Sequence, residues 1–203
     1  MQVENGNVPL SLPWPLPNHL ALRDELIQAW STERGYHDLR HLHEVLAALH
    51  DLGAGDDIAV ILAAWFHDAV YDGAPDAEER SAQLAEQRLA DVEGVDETEV
   101  ARLVRLTLDH RPAPGDRRGE LLVDADLHIL AAGKARYAEY VAGVRQEYAE
   151  VPEPAFRAGR ATVLSALLGK PHLFHTEAGR HRWEKAARAN LIRELAVLQG
   201  DRP

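Results

Sequence analysis

The longest apolar run in the chain, Ile58 to Phe66 (IAVILAAWF), ends abruptly in His67-Asp68. The run is well short of the about 20 residues that span a bilayer, so it belongs in a protein core. A polar pair attached to it is carried into the interior, where an unpaired charge is costly. Two other polar residues have similarly apolar helical surroundings, His41 in YHDLRHLHEVLAAL and Asp126 in ELLVDADLHILAA. Two imidazoles and two carboxylates gathered in a helical core form a site for one divalent metal ion, of the set Mn, Mg, Co, Ni, Zn or Fe. A metal with open positions generates hydroxide from water near neutral pH.

Helical periodicity runs through almost the whole chain. It predicts helices at about 18–34, 38–52, 56–69, 77–92, 97–110, 119–132, 134–150, 154–169 and 177–199. Gly35, Gly53, Gly94 and Gly133 follow periodic runs as stop signals. Asp96 with Glu99, and Asp76 with Glu79, match acidic capping boxes. There is no alternating strand pattern and no internal repeat. Pro9, Pro13, Pro15 and Pro17 bar an ordinary helix from Met1 to Pro17. Leu10, Leu12, Trp14 and Leu16 suggest instead an extended arm packed on the body. The expected organisation is a proline-rich arm at 1–17 and one all-α domain of about nine helices at 18–203. A chain of 203 residues is long enough for one sizeable core.

Composition removes several function classes. The chain has no cysteine, so disulfides, thiolate zinc sites and a cysteine nucleophile are excluded. A net charge of −11 argues against non-specific nucleic-acid binding, which needs a basic surface. It leaves room for a small anionic substrate, because a metal and a few local arginines set the field inside a pocket. The opening MQVENGNVPL has no basic segment before an apolar one and does not read as a signal peptide. The expectation is a cytoplasmic protein with no membrane association, and homo-oligomers are compatible with it.

Spacing refines the constellation. His37 and His41 are four apart and share a helix face if the helix has begun by 37. His67 and Asp68 point about 100° apart, yet both can reach one ion at a helix end. In Asp124-Ala125-Asp126 the carboxylates lie on roughly opposite faces, so one of the two faces the site. Asp126 is the first choice and Asp124 the fallback.

His41, His67-Asp68 and Asp126 reproduce an H…HD…D pattern, and in this the chain resembles the HD superfamily of metal-dependent phosphohydrolases. YHDLRH also resembles the YHNxxH element of cyclic-nucleotide phosphodiesterases. There the second histidine binds metal and the first is the general acid, which implies those roles for His41 and His37. DADLHIL resembles their last metal-aspartate segment and supports Asp126. The ordered series WFHDAVYD, EERSA, DADLHIL, YAEYVAGVRQEY and ARANL resembles a bacterial branch of predicted HD phosphohydrolases and spans most of residues 20–198. Asp38 and Ala77 stand where that branch usually has Asn, and neither departure removes a predicted ligand. The further histidines that hold a second metal in the phosphodiesterases are not evident; His110, in TLDH, is the only well-placed candidate, so the resemblance favours one metal over two.

The resemblance implies an HD-type helical bundle that hydrolyses a phosphate ester or anhydride, with a nucleotide as first guess for the small phosphorylated substrate. Asp68 would help deprotonate the water, and Glu78 could orient it. Arg34, His110, Arg111, Lys134 and Arg145 are the candidate substrate contacts, although each also reads as a surface charge or ion pair. Tyr137, Tyr140 and Tyr148 read as core more than pocket. The rival reading is a non-catalytic sensor that binds a phosphorylated ligand through the same metal.

Overall fold

A helix with no polar face has to lie inside a bundle, and this fold is arranged around one. The computed structural model describes residues 12–32 and 34–200. Among them the fold is all α, with no strand. The helices are α1 (Leu20–Trp30), α2 (Leu39–Asp51), α3 (Ile58–Phe66), α4 (Ala77–Leu89) and α5 (Glu97–Leu106). They continue as α6 (Arg117–Asp126), α7 (Lys134–Glu147), α8 (Glu153–Leu168) and α9 (Glu177–Gln199), with a 3-10 segment, Leu127–Ala131, between α6 and α7. Val60 to Phe66 of α3 are all buried. Helices α2, α4, α5 and α6 pack around α3, while α9 covers the 3-10 segment and α8.

Short polar side chains fix where helices begin. The Asp38 carboxylate accepts from the amides of Arg40 and His41, and so starts α2 just ahead of His41. Asp57 does the same for α3, Asp96 for α5, Asp116 for α6 and Thr176 for α9. Each such cap contributes about 1 kcal/mol. The expected cap at Asp76 does not form. Its carboxylate pairs with Arg80, and the Glu79 carboxylate pairs with Arg105. Guanidinium partners make stronger bonds than a backbone amide and win the competition.

The helix expected at 119–132 divides at Asp126 into α6 and the 3-10 segment. Asn190 of α9 donates from Nδ2 to the carbonyls of Leu130 (2.8 Å) and Ala132 (2.9 Å), satisfying groups an α-helical continuation would have used. Residues 1–11 of the expected arm lie outside the described residues. Beyond them, Leu16 is buried and the Trp14 ring meets Trp65 edge-on at 5.0 Å. The Trp65 indole N–H donates to the Pro13 carbonyl at 3.0 Å.

One backbone crossing sets the position of α7. Gly35 and Gly143 approach so closely that a Cβ on Gly143 would sit 2.7 Å from the Gly35 carbonyl oxygen. Gly143 lies within α7, where helix propensity alone predicts that Gly143→Ala stabilises by about 1 kcal/mol. Overpacking predicts the opposite sign, a loss of about 1–3 kcal/mol. We expect the loss, read by urea denaturation. A gain in stability would mean that the crossing relaxes freely.

Candidate metal centre and its cavity

Three helix ends converge on one point. His41 stands in the first turn of α2, His67 is the C-cap of α3, and Asp126 is the last residue of α6. The Nε2 atoms of the two buried histidines are 3.2 Å apart. Asp68 Oδ2 lies 3.2 Å from His67 Nε2 and 3.8 Å from His41 Nε2. Asp126 Oδ1 lies 3.2 Å from His41 Nε2 and 3.7 Å from His67 Nε2. The ligand atoms of His41, His67 and Asp68 all fall within 4.8 Å of one another, and this group can hold a metal ion.

The electrostatics favour a cation. Burial would raise the Asp68 carboxyl, but the facing His67, His37 and His41 hold it well below the usual carboxylate range. Burial acts the same way on Asp126, where His110 and His41 outweigh it and hold the carboxyl down. Burial lowers both histidines; Asp68 overcomes this at His67 and lifts it to about 9, while His41 stays below its ordinary value. One imidazolium thus faces two carboxylates, and its neighbour is held below its ordinary value, which leaves the cluster short of positive charge. The far ring nitrogens are already committed. His67 Nδ1 donates to the Ala64 carbonyl at 2.8 Å, and His41 Nδ1 lies 2.8 Å from the Tyr36 hydroxyl. Such outer contacts orient metal-binding histidines, and a dication displaces the proton that otherwise sits between them. The donor set therefore fits a divalent ion.

His37 stands beside this cluster, its ring centroid 5.5 Å from that of His41. Its Nδ1 lies 2.8 Å from Glu147 Oε2, which also accepts from the Tyr71 hydroxyl at 3.0 Å. Glu147 Oε1 accepts from the backbone amides of Gly35 (3.1 Å), Tyr36 (2.7 Å) and His37 (2.9 Å). The Tyr71 ring stacks on the imidazole at 4.4 Å. Burial lowers the His37 pKa, but Asp68 and Glu147 together outweigh it and the net shift is upward. Burial likewise opposes the Glu147 charge, and the contacts from His37 bring its pKa down to about 2.

Of the aspartates at 124 and 126, only Asp126 faces the histidines. Asp124 is buried and accepts from the His175 amide (2.6 Å) and from the Thr176 amide (2.8 Å) and hydroxyl (2.7 Å), tying α6 to the start of α9. His110 Nε2 lies 2.8 Å from Asp126 Oδ2. The His110 backbone is left-handed, with φ 53°, uncommon for a residue with a side chain. The basic residues expected near phosphate are placed otherwise. Arg34 donates to the carbonyls of Ala29, His37, Asp68 and Ala69, closing the turn that carries the HD pair. Arg145 pairs with Glu153 and donates to the carbonyls of Tyr148 and Val151. Arg111 and Lys134 are exposed, and Glu78 is half-buried in the first turn of α4. None of these five lines the cavity beside the cluster, whereas His110 does.

That cavity has a volume of about 590 Å³ and is bounded by His37, His110 and Asp126 on the cluster side. Tyr140 and Tyr148, expected in the core, also line it, because α8 stands far enough from α7 to leave the space open. Sequence reasoning missed Glu147, Tyr71 and the role of Tyr36. Glu147 lies 110 residues from His37, and its only local signal is a carboxylate at a helix C-terminus, where the helix dipole disfavours it. Comparison with known proteins adds no relative: no protein-family model, curated protein or solved structure matches this chain.

The cluster generates a direct expectation. Protein reconstituted with Mn(II) and desalted retains bound metal, and His67→Ala and Asp68→Ala lower the metal-to-protein ratio measured by elemental analysis. An unchanged ratio in both variants, each checked as folded by circular dichroism, would overturn the metal centre.

Proposed function

We propose that this protein is a metal-dependent phosphohydrolase of the HD type, acting on a phosphate ester or anhydride. The observation that carries this reading is the convergence of His41, His67, Asp68 and Asp126 beside a carboxylate-backed His37, with Asp126 and His37 forming part of the wall of one cavity. A metal would be held by the Nε2 atoms of both histidines and one oxygen from each aspartate. A divalent ion held there neutralises phosphoryl charge and lowers the pKa of water from about 15.7 towards about 7.

The chain's own groups then divide the proton transfers. Asp68, the carboxylate next to His67 in the cluster, would help take the proton of the attacking water. The water approaches phosphorus in line with the leaving oxygen. His37 has Nδ1 committed to Glu147, so Nε2 is the nitrogen that can give a proton to that oxygen. Asp68 and Glu147 raise its pKa and so favour the protonated ring that an acid needs. Glu147 and Tyr71 hold the ring in one orientation, and His110 fixes the rotation of the Asp126 carboxylate. A sensor that only bound ligand would need no such acid, so the His37–Glu147 pair favours hydrolysis.

Two outcomes follow for variants. Asp126→Ala loses metal, while Asp124→Ala keeps it and instead loses about 1–3 kcal/mol of stability, since buried amides of the α9 start lose their acceptor. Elemental analysis and denaturation separate the two; the reverse pattern would mean that the wrong aspartate was chosen. His37→Ala keeps its metal and loses activity by about 10²- to 10⁴-fold. The loss is smaller on p-nitrophenyl phosphate, whose leaving group needs little protonation. Equal losses on good and poor leaving groups, in a folded and metal-loaded variant, would rule out the acid role.

A further inference from the structure

We infer that the substrate is a phosphomonoester of an apolar alcohol, and that this alcohol occupies the cavity beside His37. The inference rests on the hydrolytic reading and names the part of the substrate that leaves. Geometry supplies the first reason. His37 lines the cavity, so an oxygen within reach of its Nε2 has its attached group inside that space. The group protonated on departure is the one the cavity must hold.

The walls supply the second reason. Away from the cluster the lining is mostly apolar, with Leu130 from the 3-10 segment, Val144 from α7, Val151 from the following turn, and Phe156 and Val163 from α8, while Tyr140, Tyr148 and Arg160 add its polar atoms. Gly159 leaves further room, since a Cβ added there would meet nothing within 4 Å. A volume of about 590 Å³ far exceeds what a lone phosphate fills and matches a small-molecule site.

Charge supplies the third reason. A polyphosphate calls for uncommitted guanidinium or ammonium groups. Among the described residues lining the cavity, Arg160 is the one guanidinium, and no lysine is present. Its Nε bonds Glu194 at 2.7 Å, and its Nη2 bonds the Tyr140 hydroxyl at 2.9 Å and Glu194 at 3.2 Å. Glu194 is itself buried and also accepts from the Tyr137 hydroxyl, so the Nε and Nη2 donors of this guanidinium are tied to the α8–α9 pair and its charge is paired, leaving Nη1 as its one nitrogen uncommitted among the described residues. What remains beyond the cluster suits an alkyl or aryl group better than a phosphate chain or a sugar.

The test uses the full chain loaded with Mn(II) and a series of ethyl, butyl and hexyl phosphates. Their alcohols are nearly equal in acidity, so differences in kcat/KM report burial of the chain. We expect a rise of roughly fourfold per methylene. Gly159→Leu fills the cavity from a helix position where leucine is favoured over glycine, so the fold is retained. It is expected to cut the hexyl-to-ethyl ratio by about tenfold or more. Calorimetry with ethyl- and hexylphosphonate reads binding without turnover. Hydrolysis with a flat chain-length series, or with ATP preferred to hexyl phosphate, overturns the inference and leaves the hydrolytic reading standing. Absence of hydrolysis, with hexylphosphonate bound more tightly than ethylphosphonate and the difference lost in Gly159→Leu, supports the ligand class and overturns the hydrolytic reading. Equal binding of the two phosphonates overturns the inference in either case.

Discussion

Burying a carboxylate costs several kcal/mol unless opposite charge is supplied at close range. This fold draws two of them, Asp68 and Asp126, largely out of solvent at the meeting point of three helix ends. The cost is offset because His41 and His67 stand between them with their Nε2 atoms turned inward, with His37 and His110 adding to the effect from either side. Their orientation depends in turn on Ala64 and Tyr36, which hold the opposite ring nitrogens. Trp30 closes the back of the cluster, its ring 5.3 Å from His67 and its indole N–H bonded to the Trp65 carbonyl at 2.9 Å. A change in the angle between α2, α3 and α6 would leave at least one charge without a partner. Their packing is therefore coupled to the electrostatics of the centre.

Glu147 carries that order out to the cavity. One carboxylate at the end of α7 gathers three successive amides at 35–37 and the His37 ring. Charge-assisted bonds of this kind are about twice as strong as neutral ones. The close Gly35–Gly143 crossing is what brings α7 near enough for them to form. The acid candidate and the helix that forms one cavity wall are thus positioned by the same contact. The left-handed backbone at His110 has a comparable local effect, aiming its ring at the outer oxygen of Asp126.

The basic residues tell a consistent story in a chain of net charge −11. Arg34, Arg145 and Arg160 are spent on carbonyls and carboxylates of the protein itself. They stiffen the HD turn, the α7–α8 connection and the α8–α9 pair. A divalent ion held by the cluster would then be the strongest concentration of positive charge near the cavity, whose wall beyond it is mostly apolar.

Periodicity and composition alone determine the helical class, the burial of most of IAVILAAWF, and the set of polar residues stranded in apolar helices. These are local properties, because a side chain's face follows from its position along the helix. Even the choice of Asp126 over Asp124 begins there, since two residues apart means opposite faces. Which face turns inward is a tertiary matter, decided when α9 supplies Thr176 to Asp124. The same holds for the arginines, whose partners lie on other elements, and for Asp76, whose capping bond lost to an arginine. Glu147 was illegible because its meaning comes from residues 110 positions away. The cavity was illegible because it is a gap between α7 and α8, and helical periodicity records which faces are apolar but not how far apart two helices stand.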